Sequence, residues 1–242
     1  MRFDVFTLLP DVFPPYLESS ILQRARQRGL IEVQVHNIRD WTHDRHHVTD
    51  DEPYAGGGGM VMKVEPVFEA VESVLGYDDC CPVILLTPQG RVFTQKVATE
   101  LAAHPRLALI CGRYEGVDER IRQHLATDEI SIGDYVLTGG ELPALTVIDA
   151  VSRKVKGVLG KEESLEEKRY GVGVPAYTRP ETLTYGGKRY AVPKVLLSGH
   201  HGEIKRWRLG HKPRSEFLTG LRQNSILRNK MPVKNLLRGK KR

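Results

Sequence analysis

Apolar and polar positions alternate from Arg2 to Thr7, and again from Ile31 to Ile38, where Ile31, Val33 and Val35 are set against Glu32, Gln34 and His36. A period of two predicts half-buried strands. Continuous apolar runs at Pro82–Leu86 and Leu107–Cys111 predict short strands buried on both faces. Elsewhere the period lengthens. Val64, Val67, Phe68, Val71, Val74 and Leu75 share one helical face, and Gly76 stops the helix. Ser20–Gly29, Thr94–Ala103 and the trio Val117, Ile121 and Leu125 predict further helices. Strands alternating with amphipathic helices predict an α/β fold with a mostly parallel sheet.

The stretch from Glu129 to Arg153 breaks this rhythm. Ile130–Ile132 and Tyr135–Leu137 read as two strand ends, separated and followed by Gly133, Gly139 and Gly140. From Leu142 the spacing turns helical through Leu145, Ile148, Val151 and Val155. Two other strand ends follow the same plan, Leu86–Gly90 and Cys111–Gly116. In an open parallel sheet, ligands bind outside the carboxyl ends of the strands. Three glycine-bearing loops at that rim predict one composite pocket, where main-chain groups read a flat, polar-edged ligand such as an adenosine. The plainer alternative is that the glycines only make turns. Nearby side chains are the acids Glu115 and Asp134 and the cations Arg113 and Arg153. Glu115 suits an ammonium group; Asp134 is a ligand contact or a turn residue; Arg153 is a functional cation or a surface ion-pair residue.

Past Gly160 the pattern changes. Lys161–Lys168 is a charged run, Arg169–Val174 is weakly patterned, and Pro175–Pro180 reads PAYTRP. These features predict a first domain over 1–160, a flexible linker or lid over 161–176, and a small, mainly helical domain over 177–242. From Phe217 to Arg242 the chain has cations and no acid. This is either a solvated tail or a contact surface for phosphates.

The 242 residues are enough for a substantial core, and the net charge of +6 favours a polyanionic partner. No apolar run reaches the roughly 18–20 residues of a membrane span, and the amino terminus has no signal-peptide layout. Three cysteines without a CxxC spacing, Cys80, Cys81 and Cys111, suit reduced thiols in the cytosol. The polar loop from Trp41 to Gly59 holds His43, His46 and His47, but no matching ligand cluster, so no metal site is expected. GGGGM lacks a P-loop lysine, and no G-x-S-x-G elbow or H-E-x-x-H helix is present.

Six motifs, CGRYEGVDER, EISIGDYVLTGGELPALTVIDAVSR, DDEPYAGGGGMVM, LTPQGR, PAYTRPE and LLSGHHGEIKRWR, lie between Arg2 and Arg208. In content and order they closely resemble the bacterial tRNA (guanine-N1)-methyltransferase family of the SPOUT superfamily. The resemblance implies a deep trefoil knot in the first domain, one of the rare exceptions to unknotted chains. It implies S-adenosylmethionine as methyl donor and an obligate homodimer with its active site between subunits. The target is N1 of the guanine on the 3′ side of the anticodon, preceded by another guanine; the small domain binds tRNA.

Carried over by residue, the donor contacts are Thr87, Pro88, Gln89 and Gly90 in the first loop, and Gly112, Tyr114, Glu115 and Gly116 in the second. The third loop supplies Ser131, Ile132, Gly133, Asp134, Tyr135, Val136, Leu137, Gly139, Gly140 and Pro143. Arg153 matches the arginine directed at guanine O6. The chain departs from the family at Gly173, where a general-base acid is usual, and at Ala176, where a histidine is usual. Glu167 or Glu166 is the expected substitute base, with Asp50 or solvent as alternatives. An RNA-binding protein with the pocket kept and catalysis lost is the second reading, and an enzyme of the superfamily acting on ribosomal RNA a third.

Overall fold

The computed structural model describes residues 1–76, 81–159 and 174–211. The chain divides into two compact units, Met1–Lys161 and Glu162–Arg242.

In the first unit the alternating segments become strands at β1 (Arg2–Thr7), β2 (Glu32–Asn37), β5 (Val83–Val92), β6 (Arg106–Cys111) and β7 (Asp128–Ser131). They form one fully parallel sheet in the order β2-β1-β6-β5-β7. A small antiparallel pair, β3 (Asp50–Asp51) and β4 (Val61–Met62), lies apart from it. The helices are α1 (Pro14–Leu17), α2 (Ser20–Gln27), α3 (Val64–Leu75), α4 (Gln95–Leu101), α5 (Glu119–His124) and α6 (Glu141–Ser152). Thr94 caps α4 by accepting from the Val97 N–H, and Asp118 caps α5 by accepting from the Arg120 N–H. Gly76, at a φ of 61°, ends α3 in a conformation that most side chains avoid.

Strand alternation splits the core in two. Phe3, Val5, Ile84, Leu86, Leu107 and Leu109 face a cluster with Leu22 and Ala25 of α2, Val97 and Leu101 of α4, and Ile148 and Val151 of α6. Phe6, Leu85, Ala108 and Ile110 face the other way, toward Val67 and Val71 of α3 and Ile121 of α5. Buried Asp4 is the exception on this second face. Its carboxylate is held by Arg2 and His36 on one oxygen and by Arg106 and Arg2 on the other, at 2.8–2.9 Å.

The α/β class and the parallel sheet agree with the sequence expectation, and three details differ. Tyr135–Leu137 is not a strand end; the ladder stops at Ser131, and Val136 is 84% exposed. Among the described residues the sheet has no strand beyond β7 for them to join, so their apolar side chains line a loop instead. The Leu86–Gly90 loop lies within β5, which bulges between Leu86 and Arg91 and then rejoins β7. In the second unit, described over 174–211, an antiparallel hairpin of β8 (Thr182–Tyr185) and β9 (Lys188–Ala191) precedes α7 (Lys194–Leu197) and α8 (His201–Gly210). The hairpin was not predicted. Its Thr-Leu-Thr-Tyr run is too short and too exposed to leave a clear period.

Candidate functional site

The first glycine loop is the bulge within β5, and the other two leave the carboxyl ends of β6 and β7. The chain places β7 on the far side of β5 from β6, so its path reverses there, and a crevice opens at such a reversal. After β7 the chain comes back across the sheet end. The Gly140 N–H donates to the Gly112 carbonyl at 3.0 Å, and Gly139 bridges Arg113.

Close approach explains the glycines. A Cβ on Gly140 would sit 2.6 Å from the Cys111 Cα, and one on Gly90 2.4 Å from the Ile130 main-chain nitrogen. Neither neighbour is a side chain that can swing away. Tyr114 adopts a φ of 58°, unusual for a residue with a side chain, at the turn of the second loop. The polar Trp41–Gly59 loop reaches the same place. The Glu115 N–H donates to the Met60 carbonyl at 3.0 Å, and Gly59 packs so closely on Glu115 that a Cβ there would fall 2.5 Å from its side chain. Asp50 lies on β3, whose partner Met62 bridges Val117 beside the second loop.

Together the loops enclose a cavity of about 310 Å³, within the range of small-ligand pockets. Of the expected contacts, Thr87, Pro88, Gln89, Gly112, Tyr114, Glu115 and Gly116 line it. So do Ser131, Ile132, Gly133, Tyr135, Val136, Leu137, Gly139, Gly140 and Pro143. Gly90 and Asp134 do not: Gly90 is pressed on the β7 backbone, and Asp134 is an exposed loop residue. Arg113, expected beside the pocket, lines it, as do Leu86 and Ile130 of the expected loops; Leu85, Val117, Glu119 and Arg122 line it too, and the sequence reading did not assign these four to the site. Leu85 was legible as part of a strand end; the charged pair lies on α5, whose pattern reveals only its core face.

Among the described residues, the main-chain N–H groups of Tyr135, Val136 and Leu137 make no hydrogen bond. Such donors beside a cavity are satisfied by water or by a ligand. The lining therefore offers apolar walls, free main-chain donors and two exposed carboxylates, of which Glu119 is paired with Arg122 and Glu115 has no ion-pair partner among the described residues. That set fits a nucleoside carrying an ammonium group.

Arg122 holds Glu119 near a pKa of about 2 through side-chain hydrogen bonds, and the Arg122 guanidinium is itself raised above its ordinary value by the same contact. This pair is therefore charged across the physiological range and is not a proton carrier.

Arg153 stands apart. It caps the carboxyl end of α6, a helix of 12 residues, and is absent from the cavity wall. Gly140 lies at the other end, about 20 Å away along the axis. The Arg153 side chain is half-buried and makes no ion pair or hydrogen bond among the described residues. Glu166, Glu167 and Gly173 lie outside the described residues, as do the charged linker run and the basic tail. No group of three or more metal-ligating side chains occurs among the described residues, and none of their helices is long and apolar enough to cross a membrane.

Comparison with known proteins gives one answer. A family model described as tRNA (Guanine-1)-methyltransferase TrmD matches residues 1–221. A tRNA (guanine-N(1)-)-methyltransferase of Dehalococcoides mccartyi is 55% identical over 212 residues, 86% of this chain and 84% of that one. The Chloroflexus aggregans protein of the same name is 53% identical over 217 residues, covering 88% and 84%. A crystal structure of tRNA (m1G37) methyltransferase from Aquifex aeolicus superposes with a TM-score of 0.72 at 41% identity, covering 87% of this chain and 88% of that one.

Proposed function

The chain belongs to the tRNA (guanine-1)-methyltransferase family, and from that premise we propose how this rim performs the reaction. It methylates N1 of a guanine in tRNA, with a methyl donor. In our reading the donor is S-adenosylmethionine, held in the cavity at the ends of β5, β6 and β7. The observation that carries this is the row of free main-chain N–H groups at Tyr135–Leu137 facing no protein partner, in a wall that also holds Glu115. The target is the guanine on the 3′ side of the anticodon, preceded by another guanine. The knot expected of the first domain is supported by the return of the chain from β7 across the end of β6.

When bound, the donor supplies a sulfonium methyl group already disposed to leave. What the protein must add is alignment and deprotonation. Guanine N1 carries a proton and is a weak nucleophile until that proton is removed. Removal places negative charge largely on O6, so a base is needed at N1 and a cation at O6. Arg153 is the cation, with no carboxylate paired to it among the described residues. The base is Glu167, with Glu166 as its alternative.

About 15 Å of helix separates Arg153 from Pro143, the cavity residue nearest to it along α6. It cannot reach a guanine that lies against that donor. A homodimer resolves the distance, with the arginine of one copy serving the cavity of the other. The loss-of-catalysis alternative is not favoured, since relatives more than half identical carry the name of the enzyme. Such an enzyme acts where tRNA is made, in the cytoplasm.

The test is methyl transfer from labelled S-adenosylmethionine to unmodified tRNA with two guanines at the 3′ border of the anticodon. Nuclease digestion and mass spectrometry should find 1-methylguanosine at the second guanine. A product at another base or another nitrogen would overturn the assignment.

A further inference from the structure

Glu141 opens α6 directly behind Gly139 and Gly140, and it is buried, at 4% exposure. Its Oε1 accepts a hydrogen bond from the buried Thr7 hydroxyl at 2.8 Å, at the carboxyl end of β1. Its Oε2 lies 3.7 Å from the Arg113 guanidinium. Arg113 in turn donates to the Thr138 carbonyl at 3.1 Å. One carboxylate thus ties the end of β1 to the loop after β6, and through Arg113 to the loop after β7.

Burying a carboxylate is costly unless its partners are well placed. The first turn of a helix favours a negative charge but does not require it to be buried. The Thr7 contact alone would be met by a neutral amide. What needs the charge is Arg113, and what Arg113 holds is the carbonyl next to the wall residues Tyr135–Leu137.

We propose that Glu141 is a positioning residue for the methyl donor: its carboxylate orients Arg113, and the guanidinium fixes the Thr138 carbonyl and with it the free N–H groups of the third loop. The inference rests on the reading that the donor occupies this cavity. Glu141 touches neither donor nor base, so its removal acts on donor affinity and not on the chemical step.

The experiment measures S-adenosylmethionine binding to the full-length chain by calorimetry, alongside steady-state kinetics with tRNA. Wild type, Glu141→Gln, Arg113→Met and the double variant are compared. Glu141→Gln keeps shape and the Thr7 contact. It should raise the donor Kd and the donor KM about tenfold, the scale of one lost charge-assisted contact. At saturating donor, kcat should stay within about twofold, and the KM for tRNA should not move. Arg113→Met should cause a loss of similar size, and the double variant should be no worse than either, because both break one chain of contacts.

Unchanged donor affinity in Glu141→Gln would overturn the proposal. So would losses that multiply to about a hundredfold in the double variant, or a fall in kcat with affinity intact. Should Glu141→Gln fail to fold, Glu141→Asp takes its place, its carboxylate drawn back from Arg113 by one methylene: weaker donor binding with kcat kept supports the role, and wild-type binding removes it. A wild-type chain that binds no donor overturns the reading of the cavity, and this inference with it.

Discussion

Asp4 and Arg153 show how differently two charged residues are used. Asp4 is buried and has two arginine partners and one histidine partner. Burial pushes its pKa up, but hydrogen bonds from His36, Arg2 and Arg106 outweigh that and hold the carboxyl well below the ordinary carboxylate range. A depressed pKa means that the stabilisation is present above the unfolded value of about 3.9 and is lost as pH falls below it. Thermal unfolding between pH 6 and pH 3 should therefore show a decline that is shallower in Asp4→Asn. At pH 7 that variant should be less stable by about 2–3 kcal/mol, since its partners are partly solvated and lose one charge-assisted acceptor. Arg153 has no such partner among the described residues. Arg153→Ala should leave stability and donor affinity within about twofold and lower kcat/KM for tRNA roughly 100-fold or more, measured by methyl incorporation. None of the Asp4 network was legible from the chain, because Asp4, His36 and Arg106 meet only when β1, β2 and β6 pair.

At the level of elements, the β5–β7 and β6–α6 junctions decide what the rim can be. Gly90→Ala would force a methyl group onto the β7 backbone, and Gly140→Ala would force one onto the end of β6. Both neighbours are main chain, so the strands themselves must shift. We expect Gly90→Ala to lower the unfolding free energy by about 1–3 kcal/mol in denaturant titrations. Gly140→Ala should weaken donor binding at least tenfold, because it separates the second loop from the third. The strands were readable in the sequence because period two and buried runs survive without tertiary context. The Tyr135–Leu137 segment was misread as a strand for a physical reason: apolar residues that line a cavity carry the same pattern as apolar residues that fill a core. The bulge within β5 was invisible, since Thr87–Gly90 reads as an ordinary turn until β7 is known to take up the ladder again at Arg91.

For the whole molecule, the cavity and the arginine lie at opposite ends of one helix. The glycine motifs point to the cavity from sequence alone; that Arg153 serves another copy is our proposal, implied by the family resemblance and supported by the length of α6. The purified protein should sediment at the mass of two chains, not one. The most direct test is complementation. Arg153→Ala keeps its cavity and Gly140→Ala keeps its arginine, so with donor held below the wild-type Kd each alone should keep about a tenth of the activity or less. Co-expressed in equal amounts, half of the dimers pair one chain of each kind, and each such dimer has one complete site. Methyl transfer should then recover to about a quarter of the wild-type rate. Mixed dimers that form but transfer no methyl group would contradict a site shared between two copies, and with it the account of how this rim works.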